Sequence, residues 1–353
     1  MEGIRRFMRE SVGYGTLFLV LVTVFSTILY KWSGDRSQYF DEYEVAGVRA
    51  KKEVFAAHKE EYNTVFIGSS RTYNQIDPSI FDGIIGTQSF NLAYSAVQPF
   101  RIFDYVAAVA EMKPDLAYVF VELSPLSRLY DGFKESQHLH ALDEERYQTA
   151  LDVFGKNNLP LRLHAESVKD YTKLLAYKYI GFNSAKRWRA VLDIYEPQEQ
   201  FVDRQPYLTA GFFPTDSVKN DKSPMRQRQR YFQEHPETMK RYDHSTQRDD
   251  FSKERDQLVD EWKNLQSLFS EDTKIILLIP PRNPENSIVQ TAKLKYFLEQ
   301  EGMTIFDFSD SDDYPVLFQV DNSNDEVHLN LKGAQIYTRL IAEKVQTLNS
   351  DID

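Results

Sequence analysis

Cysteine is absent from all 353 residues. That excludes a disulfide framework and any zinc held by thiolates, and it fits a cysteine-poor bacterial envelope protein. An excess of positive charge is lacking too. Forty-two Lys and Arg stand against 53 Asp and Glu, a formal net charge of −11. Nucleic acid is therefore not expected as a partner, since binding phosphates needs a basic face. Histidine is scarce, with seven in the chain. His138 and His140, with Glu135 and Asp143 nearby, have no second cluster to complete a metal site, so neither a metal nor another cofactor is expected. Long apolar runs are missing everywhere except at one place near the amino terminus.

That run is Ser11–Tyr30, twenty residues without a charge between Glu10 and Lys31. At a helical rise of about 1.5 Å per residue it reaches roughly 30 Å, the thickness of a bilayer core. A cleaved signal peptide would have a shorter apolar stretch ending in a small-x-small site, whereas this one ends Thr27-Ile28-Leu29-Tyr30-Lys31-Trp32. The expectation is a retained transmembrane anchor, with Tyr30 and Trp32 at the interface. Arg5, Arg6 and Arg9 favour a cytoplasmic tail at residues 1–10 and a large domain outside. Lys31 and Arg36 make that bias modest. Residues 31–60, with a helical pattern around 43–58, read as a stalk.

Two motifs carry chemistry. The first is Thr64–Tyr73, TVFIGSSRTY. Val65, Phe66 and Ile67 make a short β run, Gly68 lets the backbone turn sharply, and Ser69 and Ser70 follow at the carboxyl end, where parallel α/β sheets place their sites. The run Gly68-Ser69-Ser70-Arg71-Thr72 is not a nucleophile elbow, because threonine stands where its second glycine belongs. The second motif is 324–336, NDEVHLNLKGAQI. Asp325 and His328 lie three apart on a turn entering a helix with the apolar positions Leu331, Ala334, Tyr337, Ile341 and Val345. That spacing can set a carboxylate beside one imidazole nitrogen and leave the other free to take a proton from a serine. Alternatively, Asp325 or Asn330 caps the helix and His328 lies on the surface.

Taken together, a strand–Gly-x-Ser early in the domain and an Asp-x-x-His at its last helix resemble the SGNH (GDSL-like) hydrolase superfamily. The match is closest to its membrane-anchored branch, the DltD-like and alginate-acetylation-type proteins. The resemblance covers roughly residues 60–123 and 255–348. It implies Ser70 as nucleophile, His328 as general base and Asp325 as its orienting carboxylate. The family's second block is similar to Ser89–Ala96, SFNLAYSA, with Asn91 kept and Ala93 in the glycine's place. Asn91 and the Ala93 N–H are thereby expected to bind the oxyanion or the substrate. The third block, Gly-x-Asn-Asp, is missing; Glu122-Leu123-Ser124-Pro125 stands there, and Ser69 replaces the aspartate of Gly-Asp-Ser.

The remaining pattern alternates strand and helix. Strands are expected at 64–67, 88–93, 116–123, 274–279 and 304–308, and helices near 99–112, 253–270, 285–301 and 331–347. The fold class is thus α/β: an SGNH-like three-layer sandwich with a mostly parallel five-stranded sheet, one N-terminal transmembrane helix and a large insertion. The catalytic domain is expected at 61–123 and 253–349, and the insertion at 124–252. Within it, 130–213 is rich in aromatics that could pack a subdomain core or stack on sugars. Residues 215–252 are polar, with Arg226, Arg228, Arg230, Lys240 and Arg241, and read as a mobile loop or lid. Arg282, after Pro280 and Pro281, could contact an anionic substrate or pair with the acidic loop 309–326.

The function so implied is a membrane-anchored serine esterase or O-acyltransferase acting outside the cytoplasm of a bacterium. Its substrates would be acyl esters of a cell-envelope polysaccharide. The family resemblance further implies a multi-pass membrane O-acyltransferase as partner. The competing reading is a non-catalytic envelope assembly or polysaccharide-binding protein, supported by the missing third block and by Ala93.

Overall fold

The structure is a computed structural model. It describes residues 11–18, 20–21, 24, 46–94, 99–123, 210–217, 224–239, 259–260, 262–281 and 295–350. The chain divides into two compact units, residues 1–46 with 130–201 and residues 47–129 with 202–353. In the first, the described residues at 11–18, 20–21 and 24 are helical, and Val12, Tyr14, Leu17, Phe18, Val20, Leu21 and Val24 are exposed. Among the described residues, no helix is long and apolar enough to cross a membrane.

The second unit is built on five parallel strands: β1 (Thr64–Ile67), β2 (Ser89–Asn91), β3 (Tyr118–Glu122), β4 (Lys274–Ile279) and β5 (Thr304–Asp307). Their spatial order is β2-β1-β3-β4-β5, with every neighbouring pair parallel. The α/β expectation holds in that form. β1 and β3 are buried along their whole length, as strands covered on both faces must be. This explains why they read as unbroken apolar runs rather than as an alternation. The strands are shorter than expected, at 89–91, 118–122 and 304–307, although Leu92, Leu123 and Phe308 just beyond them still donate to the neighbouring strand.

One face of the sheet packs Phe66, Phe120, Ile276, Leu278 and Phe306 against Phe81 of helix α3 (Pro78–Ile85) and Tyr337, Ile341, Ala342 and Val345 of the last helix. Phe66, Phe81 and Phe120 form a ring cluster with centroids 4.7–5.3 Å apart. Burying each such side chain stabilises the fold by roughly 1.5–3 kcal/mol before entropy is counted. The alternate residues Val65, Val119, Val121, Ile275 and Leu277 are also buried. They point to the opposite face, where helix α4 (Pro99–Met112) packs on β1 and β3.

Two helix starts follow their local sequence. Asp77 accepts the Ser79 N–H at 3.0 Å with Pro78 at the first position of α3, and Gly86 (φ 80°) ends that helix in the left-handed region. Asn330 accepts the Gly333 N–H at 3.0 Å to open the final helix, α6 (Leu331–Ser350). Of the two residues that could cap α6, Asn330 does so.

Two expectations are corrected. Helix α1 (Ala46–His58) is no free stalk, since Lys51 and Phe55 on it are fully buried and Phe55 packs beside Phe90 of β2. Residues 215–239 are no featureless loop either. They include a short turn at Thr215–Ser217 and helix α5 (Pro224–Glu234), in which Phe232 is buried. The arginines at 226, 228 and 230 that made this stretch read as solvated share the helix with that apolar anchor. Residues 130–209 of the aromatic-rich stretch, His138 and His140, Lys240, Arg241 and Arg282 all lie outside the described residues.

Candidate active site

In the order β2-β1-β3, the chain leaves β1 and β3 toward opposite sides, so their carboxyl ends form the switch point at which α/β sheets place their sites. β1 ends at Ile67, and after Gly68 the chain enters a single helical turn, α2 (Ser70–Tyr73), with Ser69 as its cap. Gly68 is not among the residues of positive φ, so its expected role in permitting a sharp turn is not the one it plays. A Cβ there would collide with the Thr72 hydroxyl and come within 2.7 Å of Glu122. Glycine is needed because the carboxyl end of β3 presses against this turn.

The second motif folds onto itself before α6. Asn324 and Asp325 both donate their N–H groups to the His328 carbonyl, at 2.8 and 3.3 Å, which closes residues 324–328 into a tight loop. Inside it, Asp325 Oδ1 accepts the N–H groups of Val327 (2.8 Å) and His328 (2.7 Å). The imidazole Nδ1 lies 3.0 and 2.9 Å from the two Asp325 oxygens. The other ring nitrogen, Nε2, lies 2.9 Å from Ser70 Oγ. The structure thus brings Ser70, His328 and Asp325 into one hydrogen-bonded chain, with Asp325 fully buried and His328 nearly so.

The electrostatics fix the direction of the protons. Burial by itself pushes the Asp325 carboxyl up. The hydrogen bond and charge of His328 and the two backbone N–H groups outweigh it and hold the pKa down to about 2. An ionised Asp325 can only accept, so Nδ1 carries a proton, and in the neutral form of the ring Nε2 keeps a lone pair facing the Ser70 hydroxyl. Such an arrangement can raise the nucleophilicity of a serine.

Asn91 and Ala93 are placed otherwise than expected. Asn91 is fully buried and donates through Nδ2 to the carbonyls of Thr72 and Ile76, each at 2.9 Å. Its Oδ1 accepts the Ala93 N–H at 3.1 Å. Both groups are thus committed to tying β2 to the turn after the serine, not to a substrate oxygen. The Ser70 N–H makes no hydrogen bond among the described residues.

Three features were not foreseen from the sequence. Glu122, the last residue of β3, is buried and accepts from Ser69, Arg71 and Thr72. Its signal was a carboxylate closing an otherwise apolar strand. Lys51 of α1 donates to the Asn91 and Ala93 carbonyls, at 2.8 and 2.6 Å, and lies 4.0 Å from the Tyr73 ring centroid. No signal marked it among the charged residues around it. Residues 210–216 are drawn across the same end of the sheet. Ala210 O accepts from Asn91 N, Phe213 stacks on Tyr73, Thr215 donates to Leu329 O, and Asp216 accepts the Leu331 N–H that opens α6.

No protein-family model matches the chain, and no curated protein or solved structure matches it either.

Proposed function

We propose that the chain is a serine esterase or O-acyltransferase of SGNH type, anchored by its amino-terminal apolar segment with the catalytic unit outside the cytoplasm. The observation that carries this reading is the Ser70–His328–Asp325 chain, 2.9 Å at each side-chain step, beside the carboxyl end of β1. His328 Nε2 takes the proton of Ser70 as Oγ attacks the carbonyl carbon of an acyl ester. The imidazolium then returns that proton to the departing alcohol, leaving an acyl-serine. Repeating the sequence with water completes an esterase cycle; with a sugar hydroxyl it completes a transfer. The Ser70 N–H is the oxyanion donor available beside the nucleophile, whereas the Ala93 N–H is held by Asn91.

The resemblance to the membrane-anchored SGNH branch supplies the wider setting. The acyl group would come from or go to a cell-envelope polysaccharide, beside a multi-pass membrane O-acyltransferase. A three-layer SGNH sandwich interrupted by an insertion belongs to the same proposal. The second reading, a non-catalytic envelope assembly or polysaccharide-binding protein, is favoured by one observation: the expected oxyanion pair Asn91 and Ala93 is bonded internally.

The deciding experiment treats the full-length chain in detergent micelles with a fluorophosphonate and with p-nitrophenyl acetate. Wild type should be labelled, while Ser70→Ala and His328→Ala should lose labelling and any turnover. Labelling that persists in Ser70→Ala would remove the serine from the mechanism. A wild-type protein inert to both reagents would favour the binding protein.

A further inference from the structure

Four donors converge on one carboxylate at the carboxyl end of β3. Glu122 accepts the Ser69 N–H at 2.8 Å, the Ser69 hydroxyl at 2.8 and 2.9 Å, the Thr72 hydroxyl at 2.9 Å and Arg71 Nη2 at 2.6 Å. All four belong to residues 69–72, on both sides of Ser70. The Glu122 side chain is wholly buried and that of Arg71 nearly so. A charge so placed is costly unless it is paired and its oxygens are saturated, as they are here. Burial alone would raise the Glu122 carboxyl. The Arg71 guanidinium and the hydrogen bonds reverse this and leave it below its ordinary value, so it is ionised and accepts only. Gly68 completes the arrangement, because any side chain there would drive Glu122 away.

A four-residue helical turn has no stability of its own. Without an external clamp the Ser70 hydroxyl would not be held at one distance from His328, which comes from the far end of the chain. We propose that Glu122 is a positioning residue for the nucleophile: its buried carboxylate fixes the turn 68–72 so that Ser70 Oγ stays within hydrogen-bond reach of His328 Nε2. The proposal rests on the reading of Ser70 as nucleophile. It also accounts for a carboxylate standing where the family pattern has Gly-x-Asn-Asp.

The test compares wild type with Glu122→Gln, Glu122→Asp and the charge-free pair Arg71→Met/Glu122→Gln, each as the full-length chain in micelles. The pair guards against unfolding caused by a buried Arg71 that has lost the Glu122 charge. Glu122→Asp keeps the charge but withdraws it by one methylene. Among variants with wild-type circular dichroism, the limiting rate of fluorophosphonate labelling should fall about 10–100-fold, since displacements near 1 Å cost that much. The probe concentration giving half that rate should stay near the wild-type value. Limiting rates within about twofold of wild type in the folded variants would overturn the proposal. A crystal structure of a folded variant gives a readout independent of turnover. Separation of Ser70 Oγ from His328 Nε2 beyond about 3.5 Å supports positioning, and an intact hydrogen bond overturns it. If wild type resists labelling, or Ser70→Ala is still labelled, the nucleophile reading fails, and the measured separation still decides what Glu122 does.

Discussion

Asp325 meets three N–H donors with its two oxygens: Nδ1 of His328 and the backbone groups of Val327 and His328. Asp325→Asn would keep the shape but put an amide where only an acceptor serves, favouring the wrong imidazole tautomer. The expected loss in kcat is on the order of 10⁴-fold with KM little changed, read from p-nitrophenyl acetate kinetics. The same carboxyl affects stability. Its folded pKa of about 2 lies below the ordinary 3.8, so the unfolded chain binds the proton first as pH falls. Its contribution, about 2 kcal/mol, is therefore complete above pH 4 and fades between about 4 and 2. Asp325→Asn should flatten that part of a urea-midpoint-against-pH curve. At this scale the sequence was informative about where Ser70, His328 and Asp325 stand, because a strand end, a helix start and the Asp-x-x-His spacing place them. It was uninformative about Glu122, whose partners at 69–72 are close only after β1 and β3 pair. It was misleading about Asn91, whose amide is turned inward by the carbonyls of Thr72 and Ile76.

Helix α1 shows how an element can be misread. Its charged residues suggested a solvated stalk, yet Lys51 enters the unit beside β2 and Phe55 packs with Phe90. Hydropathy patterns count a lysine as exposed, whereas the two carbonyls at the end of β2 and the Tyr73 ring make its burial tolerable. Burial pulls the Lys51 ammonium well below its ordinary value. The unfolded chain then holds more protons than the folded one above the folded pKa, so stability rises with pH until the unfolded lysine also titrates near 10.4. Lys51→Met should abolish that alkaline rise in thermal melts. It should also cost about 1–3 kcal/mol at neutral pH, because the Asn91 and Ala93 carbonyls lose their donor. β1, β4 and α4, by contrast, were legible to the residue. The two strands are short apolar runs, and α4 carries the apolar stripe Ile102, Val106, Val109 and Ala110, all of it buried.

For the whole molecule, the parallel sheet followed from strand–helix alternation, while the division into units did not. The expected insertion began at 124 and ran to 252, but its described residues at 210–217 and 224–239 fall in the unit that holds the sheet. Composition placed them outside, because polar residues hide single anchors such as Phe232 and Asp216. The membrane expectation is tested at this scale. The full chain should stay with membranes through alkaline carbonate washing, and a chain beginning near residue 33 should not. Release of the full chain by carbonate would argue against a spanning anchor.

The contact between Ser70 and His328 joins residues 258 positions apart in a chain of 353. During synthesis the serine is made long before the imidazole. A nascent or prematurely terminated chain that stops short of Asp325 carries Ser70, the proposed nucleophile, but neither His328 nor Asp325. On the proposed mechanism, such an incomplete copy would have no base to activate its serine.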